Sequence, residues 1–191
     1  MIDIAAAEKK LRQAKFFLGH LEEAPKEMLR TDPSMNSERL EFYFSACLSA
    51  AQSIYYILDE TGSTAFREKQ KRWRSELPEP DRSRFGRMMG RRGEDVHFGS
   101  TDAESLPKYV PEERRSWETS SGYWGYRPSV NFDQPNVEME NPDGTKVSGP
   151  VLHGAMGLYI DQQGKRIEAA HACRVFIEQL SSLLEAMKGG R

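Results

Sequence analysis

The sequence predicts a mainly α-helical fold, an up-and-down bundle with a small β-hairpin-containing insertion before its last helix. Three observations predict it. Apolar residues recur at three- and four-residue steps near both ends of the chain, the period of an amphipathic helix. Residues 98–163 lose that period and fill with prolines, glycines and aromatics. Within them, Asn141-Pro142-Asp143-Gly144 separates Val137-Glu138-Met139-Glu140 from Thr145-Lys146-Val147, a turn between two short strand-like runs. The expected organisation is one domain. Residues 1–97 carry four bundle helices, residues 98–163 the insertion, and residues 164–191 the final helix. A chain of 191 residues is long enough to bury a core of useful size.

The first helix is expected over residues 4–29, where Ile4, Ala7, Leu11, Ala14, Leu18, Leu21 and Met28 form a stripe. Pro25 interrupts it and predicts a kinked or separate last turn. Residues 31–34 read as a turn. Asn36 or Ser37 can cap a second helix to about Glu60. Its apolar faces are broad: Leu40, Phe44, Cys47, Leu48, Ala51, Ile54, Tyr55 and Leu58 on one side, Tyr43, Ala50 and Ile57 on another. Such a helix is central in a bundle or lies at a subunit interface. Ser45, Ala46, Ser49, Ala50 and Ser53 are small enough to let a neighbouring helix come close.

Thr61-Gly62 ends the second helix, and Ser63 or Thr64 opens a third to about Leu77, with Phe66 and Trp73 as core anchors. Pro78 and Pro80 end it. A fourth helix follows from Asp81, with Phe85, Met88, Met89 and Arg92 on one side. Beyond the hairpin, Gly157 to Asp161 is expected to add a short strand. The last helix is expected from Lys165 to Lys188, on the stripe Ile167, Ala170, Cys173, Ile177, Leu180, Leu184 and Met187, and Gly189-Gly190 ends it.

Composition narrows the function classes. Hydrophobic residues are 38% and charged residues 29%, which fits a soluble globular protein. The two cysteines, Cys47 and Cys173, sit in apolar helical patterns without metal-ligand spacing and read as buried hydrophobes of a reducing, cytoplasmic protein. The N-terminus lacks the pattern of a signal peptide. The longest uncharged run, Phe42 to Leu58, is too short and polar to span a bilayer comfortably. No P-loop, dinucleotide fingerprint, nucleophile elbow or paired-carboxylate metal site occurs, so neither a metal nor a cofactor is expected.

The net charge of −2 conceals one basic region. From Arg67 to Arg92 ten lysines and arginines face four acids, Glu68, Glu76, Glu79 and Asp81. Lys71, Arg74, Arg84 and Arg87 are the candidates within it for guiding an RNA backbone, an attraction that weakens with salt; a solvated helix surface explains them equally well. The aromatics Tyr109, Trp117, Tyr123, Trp124, Tyr126 and Phe132 fit packing of the insertion better than base stacking. His153 lies beside glycines, and His20 and His171 lie in helices.

The basic region ends at Arg92-Gly93-Glu94-Asp95-Val96-His97. A guanidinium matches phosphate oxygens in a bidentate fork, and an imidazole can move a proton near neutrality. Five positions on a helix rotate by about 140°, so the pair does not share a face. Spacing alone fits an ordinary surface arginine and a helix-end histidine better than a site.

Glu41-Phe42-Tyr43-Phe44-Ser45-Ala46-Cys47-Leu48-Ser49-Ala50-Ala51-Gln52-Ser53 resembles the second helix of HEPN-domain proteins, with its aromatic run and small-residue pattern. Arg92 to His97 resembles the HEPN signature, an arginine and a histidine separated by four to six residues. The resemblance covers residues 1 to about 100 and the last helix, not the insertion. It implies a metal-independent endoribonuclease, or an RNA-binding component, of a bacterial defence or toxin system. In catalytic HEPN families two protomers pair into one composite cleft. Carried over, His97 would activate the ribose 2′-hydroxyl or protonate the leaving oxygen. Arg92 would hold the phosphate, leaving a 2′,3′-cyclic phosphate. The implied partners are a second copy, RNA, and an antitoxin or other protein. Gly93 departs from the polar residue, often Asn or Asp, that usually follows the signature arginine. Glu94 and Asp95 are alternative sources of that group, and Arg91 is an alternative signature arginine. Some HEPN proteins are inactive, so a non-catalytic dimerisation or protein-interaction module is the rival expectation.

Overall fold

The computed structural model describes residues 3–28, 36–59, 64–98, 103–111, 137–149, 152–161 and 164–189. The turn expected at residues 31–34, and Trp117, Tyr123, Trp124, Tyr126 and Phe132, lie outside the described residues. Among those described, five helices and five strands follow in the order α1 (Ile4–Met28), α2 (Asn36–Asp59), α3 (Thr64–Glu76), α4 (Glu79–Phe98), β1 (Ala103–Pro111), β2 (Val137–Glu140), β3 (Lys146–Gly149), β4 (Leu152–Asp161), β5 (Arg166–Glu168) and α5 (Ala169–Lys188). The molecule is mainly helical, with a small antiparallel β region before the last helix. The last turn is not a separate one: α1 runs through Pro25 to Met28.

The α1 and α2 helices form an antiparallel pair. The Cys47 thiol reaches the Ala14 carbonyl at 3.5 Å, and further along His20 stacks on Tyr43. Of the small residues expected on α2 to allow close approach, Ala50 is buried, Ser45, Ala46 and Ser53 are half-buried, and Ser49 is exposed. The α5 helix packs against both α1 and α2 and runs antiparallel to α1. Lys188 pairs with Glu8 at one end and Arg174 with Glu22 at the other. Between these ion pairs α5 is the most deeply buried helix. Phe176, Leu180, Leu183 and Leu184 are all fully enclosed, each contributing on the order of 1.5–3 kcal/mol by leaving water. Both cysteines are buried in this core.

The α3 and α4 helices join through an aromatic series. Tyr55 meets Phe66 and Phe85, Trp73 meets Phe85 at 5.2 Å, and Phe85 meets Phe176 at 5.4 Å. Phe66 and Trp73 are the anchors expected from the sequence. The Trp73 indole N–H also donates to Ser182 Oγ on α5.

Of two small sheets, the three-stranded one lies against this bundle and the hairpin is tied to its β1 edge. The hairpin β2–β3 matches the expected turn, with Glu140 opposite Lys146 and Gly144 at φ +82°, a left-handed conformation suited to glycine. The other sheet has the order β1–β4–β5, all antiparallel. Its inner face carries Leu158, Ile160 and Ile167 into the helical core. Its outer face carries Glu104, Leu106, Lys108, Gly157, Tyr159 and Glu168, which share one side by register. Tyr159 is nonetheless buried there.

This sheet differs from expectation in three places. β1 lies where irregular chain was expected; Pro107 and Pro111 hide it, and both are tolerated because β1 is an edge strand. β4 begins at Leu152 rather than Gly157, its first half obscured by Gly154 and Gly157. The last helix begins at Ala169, because residues 166–168 pair with β4 and place Ile167 opposite Ile160. His153, which lies beside glycines, is on β4 opposite Val110.

Candidate functional site

The candidate site is built on α4. Pro78 breaks the chain after α3, and its carbonyl receives the amides of Asp81 and Arg82 as the new helix starts. Pro80 sits in the first turn, where its missing N–H costs nothing, and Glu79 and Asp81 complement the positive end of the helix dipole. Arg82 locks the corner. Its guanidinium donates to the carbonyls of Arg74, Ser75 and Leu77, which the end of α3 leaves open.

Among the described side chains of α4 only a narrow stripe is apolar. Phe85 and Met88 are buried, and Met89 is half-buried. Glycines at 86, 90 and 93 each lower helix propensity by about 1 kcal/mol relative to alanine. Two buried carboxamides supplement this thin docking surface. Gln52, fully enclosed on α2, donates through Nε2 to the Met88 carbonyl at 2.6 Å and the Met89 carbonyl at 3.3 Å. Gln179 on α5 donates to the Asp81 carbonyl at 3.2 Å. The Oε1 atoms of both glutamines are buried without a hydrogen-bond partner among the described residues.

Arg91, Arg92, Glu94, Asp95 and His97 all belong to the last part of α4, and the helix is continuous through Gly93 to Phe98. Arg92 and His97 are therefore five helical positions apart, about 140° around the axis. The described side chains of this helix end at Gly90.

The four residues expected to guide RNA divide between two helices. Lys71 and Arg74 are exposed on α3. The Arg74 guanidinium lies 3.5 Å from the point a Cβ on Gly86 would occupy, so it bridges from α3 towards α4. Arg84 is half-buried and paired with Asp81 at 3.1 Å. Arg87 donates to Ser83 Oγ at 2.6 Å, while its Nε is buried with no partner among the described residues. The basic stretch is thus only partly a solvated surface. Arg82 and Arg84 are committed to local partners, and Lys71 and Arg74 remain exposed.

Away from α4, a depression of about 380 Å³ is lined by Asp143, Thr145, Arg166, Ile167, Glu168, His171 and Arg174. Three of its charged residues pair with neighbours outside the lining. Arg166 pairs with Glu104, Arg174 with Glu22, and Glu168 with Lys108. The Glu22 carboxylate holds the Arg174 guanidinium above its ordinary range. His171 is exposed at its rim. His20 is half-buried, stacked on Tyr43 with Phe16 against its edge. Among the described residues no group of His, Cys, Asp or Glu could hold a metal ion. No described helix is long and apolar enough to cross a membrane.

The residues that the sequence left unassigned here are Gln52 and Gln179. Their signal was present as polar side chains inside the apolar stripes of α2 and α5, but a stripe does not say which carbonyl a buried amide will meet. Comparison with protein-family models, with curated proteins and with solved structures returns no match.

Proposed function

We propose that the protein is a HEPN-like, metal-independent endoribonuclease, or RNA-binding component, of a bacterial defence or toxin system. In this reading two copies pair and Arg92 and His97 supply the composite cleft. The observation that carries it is the arginine-x4-histidine spacing, Arg92 to His97, on one continuous helix of a helical bundle. That bundle also contains the aromatic and small-residue α2. The divergence of the two positions by about 140° suits a cleft completed by a second copy better than one closed within a single chain.

The chemistry follows from the residue types. His97 takes the proton from a ribose 2′-hydroxyl or gives one to the leaving 5′-oxygen. Arg92 holds the phosphate and stabilises the charge that develops on it. Lys71 and Arg74, both exposed, supply attraction for the RNA backbone. Glu94 and Asp95 are the candidates for the polar group that Gly93 lacks, and Arg91 is the alternative phosphate ligand.

The test is substrate-based. In excess chelator the protein should cleave single-stranded RNA to products with 2′,3′-cyclic phosphate ends. An oligonucleotide whose ribose at the cleaved position is replaced by deoxyribose should remain intact there. Cleavage that requires a divalent metal, or that proceeds without the 2′-hydroxyl, contradicts the reading.

A second reading is favoured by a separate observation. Phe16 and Phe42 are 61% and 68% exposed on α1 and α2, and Tyr56 is 46% exposed. Large apolar side chains left in solvent suit a non-catalytic module that dimerises or binds a protein partner. Absence of any nuclease activity, together with loss of self-association on Phe42→Ser, would favour it.

A further inference from the structure

We propose that Gln52 is a positioning residue for the Arg92–His97 segment: its buried carboxamide fixes how α4 is rotated and seated against α2. The proposal rests on the ribonuclease reading above. It starts from the two hydrogen bonds to the Met88 and Met89 carbonyls and from the complete burial of the Gln52 side chain. In an α-helix those carbonyls also face the amides of residues four positions on, Arg92 and Gly93. A carbonyl oxygen has two lone pairs and can accept both donors. Gln52 therefore holds the turn that opens the signature.

That turn needs an external hold. Its sequence, Met88-Met89-Gly90-Arg91-Arg92-Gly93, contains two glycines, and a Cβ built on Gly90 would meet nothing within 4 Å. Packing therefore gives position 90 little support. Apolar side chains alone are a weak rotational lock, since among the described side chains of α4 Phe85 and Met88 are the buried apolar ones. A directional bond is a stronger one, because a small rotation moves a carbonyl out of line with its donor. Positions 92 and 97 lie about 40° and 180° around the axis from Met88, so one rotation displaces both relative to the bundle. The unpartnered Oε1 fits this role. Burying it without a partner is costly, and a methionine would fill similar space without that cost.

The experiment compares the parent with Gln52→Met and His97→Ala. The Met side chain has the same length and no donor. RNA cleavage in excess chelator gives kcat and KM, and amide hydrogen exchange reports on residues 88–97. The expected result for Gln52→Met is a folded protein whose exchange in 88–97 is about tenfold faster, with exchange in α5 unchanged. Its kcat should fall about tenfold with KM within about twofold of the parent, the scale of one lost neutral hydrogen bond. A merely structural role would lower the melting point without a selective fall in kcat. An active parent, an inactive His97→Ala and a Gln52→Met at the parent's kcat would overturn the positioning role alone. A parent that cleaves no RNA, or a His97→Ala variant that cleaves as well as the parent, overturns the ribonuclease reading and the positioning role with it. Should Gln52→Met fail to fold, the parent's own Gln52 side-chain amide decides by nuclear magnetic resonance. Slow exchange of its protons supports the hold, and rapid exchange overturns it.

Discussion

Replacing Tyr159 with phenylalanine should make the protein more stable. Tyr159 lies on the outer face of the three-stranded sheet and is 1% exposed, yet its hydroxyl has no hydrogen-bond partner among the described residues. A buried hydroxyl that has left water without gaining a partner costs about 1–3 kcal/mol. Phenylalanine keeps the ring, and therefore its packing over Gly157, and removes only the oxygen. After a small loss of contact around the vacated space, a net gain of about 1 kcal/mol remains. In a chain of this size that raises the melting temperature by about 2–4 °C. Alkali provides a second arm. Burial first, then the Glu168 and Asp143 carboxylates, push the Tyr159 hydroxyl well above its ordinary value near 10. Above that ordinary value the unfolded tyrosine ionises while the folded one keeps its proton. The unfolded state then binds fewer protons, so stability falls as pH rises. Burial, then Asp59, also raises Tyr55. The variant should therefore lose stability in alkali more gently than the parent, not escape the loss. Thermal melts and urea titrations of both proteins at pH 7 and from pH 9 to 11 measure these effects. A phenylalanine variant destabilised by about 1 kcal/mol or more at pH 7 would refute the reasoning, since it would mean the hydroxyl has a partner. So would parallel alkaline curves.

Two further predictions concern the same β region. Gly157→Ala places a Cβ 2.9 Å from Tyr159 Cε2 and 3.2 Å from the Lys108 stem. Both neighbours are packed, so the variant should lose about 1–3 kcal/mol, read from its urea midpoint; an unchanged midpoint contradicts the packing described. Asn141 accepts the Tyr109 N–H at 2.7 Å and thereby ties the hairpin to β1. Asn141→Ala should cost about 1–3 kcal/mol and speed exchange of the Tyr109 amide, and a protected Tyr109 amide would show that the hairpin is held otherwise.

The helices were legible because their apolar stripes are long and each buries a continuous face. Most described residues of the α1, α2 and α5 stripes are buried, although the α5 stripe missed Phe176 and Leu183, and Phe66 and Trp73 anchor α3 as expected. The hairpin was legible because its turn carries a proline, an aspartate and a left-handed glycine in sequence. The second sheet was not. β1 contains two prolines, β4 two glycines, and β5 only three residues, none of which leaves a period-two signal. Those strands exist because β4 meets the helical core through Leu158 and Ile160 and then recruits both neighbours, a tertiary cause that local pattern does not record. The β5 residues show the same override, since Ile167 fits the stripe of α5 and is nonetheless drawn into pairing. In the candidate site, the helix beneath Arg92 and His97 could be read from spacing. The carboxamide hold of Gln52 on that helix could not, because it joins residues 36 positions apart. Nor could the commitment of Arg82 to the end of α3.

His97, with Arg92, is proposed to cleave RNA without a metal. The direct measurement is the single-turnover cleavage rate of the parent beside His97→Ala, in excess chelator, at equal folded concentration. Removal of a general acid or base lowers such a rate by about 10²–10⁴-fold. A His97→Ala variant slowed by at least a hundredfold, with its melting temperature retained, is the predicted result. Equal rates for the two proteins would remove His97 from the chemistry.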